Sequence, residues 1–314
     1  MAERVAVIGA GVNGLTCAIE LARAGHSVTI FARDLPHETT SAVPAAIWFP
    51  YHAKPEADVS RWALRTRERL RELAGDERTG VHWVDFSVVG IRFEPPLPSW
   101  AKPEELTRLD DEELAALGVQ YRFGYRVSVP MMENPKYLRY LETTFIQELR
   151  GPIVREDLAA LTDVPETFSV IVNCSGYGAK ALCSDSELKP GRGVVVIASK
   201  RSTERHMVCD EGDTLTYVLS RENDCVWGGC DGESEVLAIS RDEAEAIIRR
   251  CDGDAGVAAK LRRAEVGIRP VRDAVRLEAE WSGARRIVHN YGHGGSGFTL
   301  SWGCAEDVAE LVAR

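Results

Sequence analysis

R-V-A-V-I-G-A-G-V-N-G, residues 4–14, is the stretch on which the fold turns. Arg4 to Ile8 is a short β-branched run, the composition of a strand buried on both faces. Glycines at 9, 11 and 14 follow, and a helical pattern starts at once through Leu15, Ala18, Ile19 and Ala22. Gly25 ends that helix, and Ser27 to Phe31 reads as the next strand. Strand, G-x-G-x-x-G and helix together make a βαβ unit suited to a dinucleotide. Gly9 permits the tight turn, Gly11 lets the main chain approach a pyrophosphate, and Gly14 lets helix and strand pack closely. Val12 and Asn13 complete the turn, where the helix N-terminus offers N–H groups and its positive dipole end to phosphates. Asp34 lies 20 residues beyond Gly14, at the distance where an acid bonds ribose hydroxyls. Arg33 precedes it and leaves open which of the two meets the ribose.

The segment after the second strand separates FAD from NAD. Thr39-Thr40-Ser41 is a hydroxyl cluster, and Ala45-Ala46-Ile47-Trp48-Phe49-Pro50-Tyr51 runs from small residues into large apolar ones. An NAD domain would start its next helix or strand here. Hydroxyls for a pyrophosphate, then small residues for close passage over a flat ring, suit FAD.

Further along, Glu56 to Leu73 carries apolar residues at 59, 62, 63, 70 and 73 among Arg and Glu, an amphipathic surface helix. Residues 81–93 alternate as antiparallel strands do, Pro95, Pro96 and Pro98 mark a loop or edge, and a helical pattern returns from Pro135 to Arg150. Val170 to Gly176 is a buried strand ending in small residues. Such an end faces the cofactor crevice of a doubly wound sheet, which makes Ser175 and Gly176 cofactor candidates. Residues 214–230 read as a hairpin, and Ser240 with Glu243 as a capping box. The expected architecture is α/β: a Rossmann-like, doubly wound parallel sheet with an interleaved smaller antiparallel-sheet domain. Residues 1–52, 136–192 and 266–314 would form the FAD-binding part, and 53–135 and 193–265 the substrate-binding part.

The 314 residues suffice for one large or two intermixed domains, and 45% apolar with 27% charged residues is ordinary for a soluble enzyme. A net charge of −10 repels a phosphate backbone, so no nucleic-acid partner is expected. No apolar run approaches the ~20 residues that span a bilayer. Met1-Ala2-Glu3-Arg4 lacks a signal-peptide layout and Leu311-Val312-Ala313-Arg314 lacks a peroxisomal address, which sets the expectation of a cytoplasmic protein. The eight cysteines form no C-x-x-C pair, so zinc has no support. Oligomeric state is left open, with a homo-oligomer compatible with the sequence.

Near the C-terminus, Arg269 sits in V-G-I-R-P-V-R (266–272), flanked by apolar residues and proline, as a guanidinium that clamps a carboxylate would be. Glycines at 292, 294, 295 and 297 lead to a helix expected over 304–313, a second close-approach turn before a helix. A helix N-terminus there would stabilise the negative charge that a reduced flavin gathers at its N1–C2=O edge. His289 and His293 have no Cys or carboxylate at ligand spacing, so loop-anchoring hydrogen bonds are expected of them and no metal.

The chain as a whole resembles the D-amino-acid oxidase family. The matching stretches are V-A-V-I-G-A-G-V-N-G-L (5–15), T-T-S (39–41), A-A-I-W-F-P-Y (45–51), V-N-C-S-G (172–176), P-G-R-G (190–193), G-I-R-P-V-R (267–272) and H-N-Y-G-H-G-G-S-G-F-T (289–299). The last two are specific to this group. The resemblance implies an FAD domain, a smaller substrate domain, and oxidation of a D-amino acid to an imino acid with O₂ reoxidising the flavin to give H₂O₂. It implies that Arg269 clamps the substrate carboxylate, with the Tyr217 phenol on the same group, and that the Gly295 carbonyl accepts from the amine. Ala46 and Ile47 would line the flavin ring. Gly294, Gly295, Gly297, Phe298 and Thr299 would meet its pyrimidine end, with Phe49 and Ser296 beside the substrate. The stretch before Tyr217 is short, so the long lid of some members is not expected. Where acidic-substrate relatives carry arginines, the aligned residues are Cys209 and Asp231, which implies neutral D-amino acids as substrates.

Overall fold

β1 (Arg4–Ile8) and β2 (Ser27–Ala32) flank α1 (Val12–Arg23), as the opening stretch implies. The computed structural model describes residues 2–51, 53–118, 120–199, 204–229, 232–252 and 261–314. The strands that follow are β3 (Val81–Gly90), β4 (Leu106–Arg108), β5 (Phe123–Met132), β6 (Ile153–Arg155), β7 (Val170–Asn173), β8 (Lys189–Ser199), β9 (His206–Asp210), β10 (Leu215–Ser220), β11 (Asp224–Gly228), β12 (Leu261–Ser282) and β13 (Arg285–His293). Helices α2 (Glu56–Leu73), α3 (Asp111–Leu117), α4 (Asn134–Thr143), α5 (Ala179–Leu182), α6 (Arg241–Asp252) and α7 (Gly297–Ala313) are the other described α-helices.

All thirteen described strands join in one sheet, in the order β4-β5-β3-β9-β10-β11-β8-β12-β13-β7-β1-β2-β6. From β13 to β6 every pairing is parallel, the Rossmann-like half. From β12 to β9 every pairing is antiparallel; β9 then runs parallel to β3, and β3 and β5 close the sheet antiparallel towards β4. The 22-residue β12 joins the halves. Its first part pairs with β8, its last part with β13, and the register shifts between Val271 and Arg276. The divisions expected after 192 and before 266 therefore fall inside β8 and β12, which run through both without a break. β12 passes from one half to the other further on, where its partner changes from β8 to β13 between Val271 and Arg276.

Alternation along β1 divides its neighbours. Val5 and Val7 face the main core with α1, α2 and α7, while Ala6 and Ile8 meet a smaller cluster with Phe31, Val164, Phe168 and Ile171. That second face of the parallel half is covered around Val164 and Phe168 by irregular chain. The antiparallel half is likewise two-sided. Val194, Val196, Met207, Cys209, Val218 and Trp227 pack under α6, while Val195, Ile197, Val208, Tyr217 and Leu219 face the main core.

Two local expectations change. The last helix starts at Gly297, seven residues before the expected 304. Glycines and hydroxyl residues gave 297–303 the look of a loop, but they serve packing: a Cβ on Gly303 would lie 2.3 Å from the Trp62 carbonyl of α2. The capping box at α6 is half made. Glu243 N–H donates to Ser240 Oγ at 3.1 Å, but the Glu243 carboxylate is taken by Arg192.

Candidate active site

The first glycine turn has little room for any other residue. Gly9 has φ +105°, and a Cβ there would lie 2.5 Å from the Cys174 carbonyl at the end of β7. A Cβ on Gly14 would lie 1.9 Å from the Gly9 carbonyl. β7 thus ends against this turn and brings Ser175 and Gly176 beside it. The Ser175 hydroxyl and N–H both donate to Asn173 Oδ1, at 2.6 and 3.2 Å, and Gly176 follows at φ +58°. Ser41 Oγ accepts from Val12 N–H at 3.0 Å, so the hydroxyl cluster is tied to the first turn of α1, with Thr39 Oγ1 turned back to the Pro36 carbonyl at 2.8 Å. Thr40 packs its methyl near Gly267. Arg33 and Asp34 are bound to each other, Nη2 to Oδ2 at 2.7 Å, in an exposed pair at the end of β2.

Asn13 stands out in this hydrogen bonding. Its Oδ1 is buried and has no partner among the described residues. Its Nδ2 lies 3.4 Å from where a Cβ of Gly297 would stand, so the N-termini of α1 and α7 converge on one spot. Two converging helix N-termini, a glycine cradle and a buried acceptor without a partner fit a bound dinucleotide.

Segment 45–51 crosses from the cradle to the antiparallel half. Ala46 has φ +59°, a strained value for alanine, and its carbonyl accepts from Met132 N–H at 2.8 Å, while Ile47 bridges Met131. Trp48 is buried and its indole donates to the Ala63 carbonyl at 2.9 Å. Phe49 meets Phe86 and Trp100 edge-on at 5.3 and 5.8 Å. The first turn of α7 grips this segment with two hydroxyls. Ser296 Oγ accepts from Tyr51 N–H and donates to the Tyr51 carbonyl, both at 2.7 Å. Thr299 Oγ1 accepts from Phe49 N–H at 3.1 Å and donates to its carbonyl at 3.0 Å. Neither side chain was expected in that role, because nothing short-range in sequence joins residues some 245 positions apart. Phe298 is buried near Tyr137.

Arg269 stretches along the antiparallel face. A Cβ on Gly193 would stand 2.8 Å from its Cζ, and one on Gly295 would stand 3.8 Å from its Cδ. Gly193 thus leaves the seat that the guanidinium fills. Tyr217 lies over Gly228, whose Cβ would be 2.4 Å from the phenol oxygen. Burial pushes the Tyr217 phenol up to about 12, and the Arg269 guanidinium pulls against that shift, so the two groups share one field. Gly294 N–H donates to the Pro270 carbonyl at 2.9 Å, fixing the second glycine turn to the Arg269 strand. The Tyr51 ring lies on Gly295, its Cδ1 2.9 Å from where a Cβ would be, and its hydroxyl donates to Asp210 at 3.2 Å.

One candidate is corrected. Cys209 lies in the cluster on the other face of the sheet, with Val89, Tyr121 and Met207, its thiol 3.8 Å from Glu211 Oε1 and pushed up to about 12 by burial. A strand alternates faces at each residue, so Val208 is the β9 residue that shares a face with its partner Tyr217. Asp231 lies outside the described residues.

Further groups brace the site from behind. Arg272 Nε and the Tyr291 hydroxyl both reach Asp185, at 3.1 and 2.9 Å, and Arg276 donates to the Tyr291 hydroxyl at 2.8 Å. Burial opposes the charge on Asp185, but Tyr291, the Glu187 N–H and Arg272 outweigh it and hold the carboxyl below its usual range. His293 is buried, hydrogen-bonded to Asn290 Oδ1 at 2.9 Å, and pushed down to about 4 by desolvation. His289 bonds Glu280 at 3.1 Å.

The chain matches the FAD dependent oxidoreductase family over residues 4–311. It is 41% identical to a D-amino-acid oxidase of Rubrobacter xylanophilus, covering 98% of this chain and 95% of the relative. It is 34% identical to a D-amino-acid oxidase of Dictyostelium discoideum (98% and 90% covered) and 31% identical to the D-aspartate oxidase of Homo sapiens (99% and 95%). Glycine oxidase from Geobacillus kaustophilus shares the fold, with TM-score 0.81 at 17% identity over 100% of this chain and 95% of that one. The chain belongs to the D-amino-acid oxidase family of FAD-dependent oxidoreductases, and its cofactor is FAD.

Proposed function

We propose that the protein oxidises neutral D-amino acids at the α-carbon, giving the imino acid and, with O₂ as electron acceptor, H₂O₂. The observation that carries this reading is the convergence of Arg269, Tyr217 and Gly295 on one space in front of the N-terminus of α7. A carboxylate bound by the Arg269 guanidinium also receives the Tyr217 O–H, which stays protonated at working pH because burial holds it up to about 12. The Gly295 carbonyl takes a hydrogen from the amine. Three such contacts fix the α-carbon and present one of its faces, which is positioning in place of acid–base chemistry. FAD, when bound, supplies the acceptor for the α-hydrogen with its electron pair and hands two electrons to O₂. Gly9, Gly11, Val12, Asn13 and Gly14 would hold its pyrophosphate with Thr39, Thr40 and Ser41. Arg33 or Asp34 would meet the ribose, Ala46, Ile47, Ser175 and Gly176 would lie along the cofactor, and the main chain of 294–299 would meet the pyrimidine end.

Apolar selectivity follows from β9 and β10. Val208, Leu215 and Leu219 share the face of Tyr217, and none supplies a cation for a second carboxylate. An unpaired carboxylate in such a wall costs several kcal/mol. A cytoplasmic location is part of the reading, supported by the free thiols of the seven described cysteines. Among the described residues no helix is long and apolar enough to cross a membrane. The test is kcat/KM for D-alanine, D-valine, D-aspartate, glycine and N-methylglycine, read by peroxide release. The neutral D-amino acids should lead; D-aspartate or glycine in first place would overturn the assignment.

A further inference from the structure

The hydroxyls of Ser296 and Thr299 make an unusual join. Each binds both the N–H and the C=O of one residue, and the two residues, Tyr51 and Phe49, alternate along segment 45–51. A β-ladder joins strands in this way, but here the partner is the first turn of a helix. Both side chains are buried, at 0% and 1% exposure, so water does not compete for these bonds. The segment they grip carries Phe49, packed in the same apolar cluster as Tyr217 and Val208, and Tyr51, whose ring lies on Gly295. The helix turn that grips it begins at Gly297, beside Asn13 of the cradle.

We infer that Ser296 and Thr299 are positioning residues whose hydroxyls couple the substrate wall to the flavin end of the site. This rests on the FAD-dependent amino-acid oxidase reading above. Phe49 and Tyr51 cannot shift without pulling on the first turn of α7, and that turn cannot shift without moving the wall. Binding of a carboxylate ligand beside Arg269 is therefore felt at the flavin through these four bonds. Cofactor retention belongs to the glycine cradle and does not depend on the two hydroxyls.

The experiment compares the purified holoenzyme with Ser296→Ala, Thr299→Val and Thr299→Ser. For each, FAD content, the change in flavin absorption on titration with a non-reacting aromatic carboxylate, and the limiting rate of anaerobic flavin reduction by D-alanine are measured. Ser296→Ala and Thr299→Val should keep one FAD per chain, lose most of the ligand-induced spectral change, and fall about tenfold or more in kcat/KM, the scale of unmaking buried hydrogen bonds. Thr299→Ser restores the hydroxyl and should behave as the parent. Parental spectra and rates in Ser296→Ala and Thr299→Val would overturn the inference. So would loss of FAD from either variant, which would put the hydroxyl on the cofactor, or a Thr299→Ser that matches Thr299→Val, which would make the methyl the active part. A parent protein that carries no FAD would instead refute the underlying reading.

Discussion

The molecule contains two strand–glycine–helix turns, and they are built differently. In the first, Gly9 to Gly14, main chain approaches main chain so closely that a Cβ has no place, and its one buried polar side-chain atom, Asn13 Oδ1, is left without a partner. In the second, Gly292 to Gly297, side chains do the joining: His293 to Asn290, Ser296 to Tyr51, and, within the following helical turn, Thr299 to Phe49. The first turn is a close-packed backbone cradle, tied to Phe31 and Ser41, with Asn13 Oδ1 as its open acceptor. The second is already committed to protein partners and holds other parts of the site in place. On the reading proposed above, two similar glycine patterns carry separable tasks, cofactor retention and substrate alignment.

That separation can be broken most severely at Gly14. Gly14→Ala puts a methyl 1.9 Å from the Gly9 carbonyl, and the expected outcome is protein without FAD, seen as loss of the yellow absorption on purification. A yellow, active Gly14→Ala enzyme would refute the cradle. Arg269→Ala should do the reverse: FAD stays, and kcat/KM for D-alanine falls about a hundredfold or more, since a charge-assisted pair contributes ~3 kcal/mol. If FAD content falls with activity, the two tasks are not separate.

Acid should discriminate between the turns more gently. His293 is held neutral, at about 4, whereas an unfolded histidine titrates near 6.5. A depressed folded value gives stability that is complete above about 6.5 and lost as pH falls towards 4, up to roughly 3 kcal/mol in all. Residues 9–14 contain no titratable side chain, so the loss belongs to the second turn. Thermal melting from pH 7 to 4 should show it, and His293→Gln should flatten it; an unchanged slope in that variant would assign the acid sensitivity elsewhere. The smallest expected effect is at Cys209. Cys209→Ala should leave kcat/KM for D-valine unchanged, because the thiol lies on the face opposite Tyr217, towards Glu211. A selective change with substrate side chain would return Cys209 to the pocket.

The cradle was readable in sequence because strand, turn and helix are adjacent there, and each glycine answers a local steric demand. Arg269 was readable through the resemblance, but Gly193, which leaves room for its guanidinium, was not, because β8 and β12 meet only in the fold. Cys209 was misplaced because one residue of register reverses a strand's faces. The start of α7 was hidden because Ser296, Thr299 and Gly303 answer to α2 and to segment 45–51, partners remote in sequence. For the same reason a division was expected before 266, inside the 22-residue β12.

That long strand has a consequence for synthesis of the chain. β7, with its apolar Val170-Ile171-Val172, keeps an open parallel edge until β13, residues 285–293, reaches it. A ribosome adding ~5–20 residues per second leaves that edge bare for roughly 6 to 24 s, and the edge of β8 that awaits β12 is bare for part of the same interval. Two unpaired edges on one nascent molecule are places where two such molecules can pair with each other. Yield of the active enzyme should therefore depend on translation speed and chaperone supply more than the stability of the finished fold would suggest.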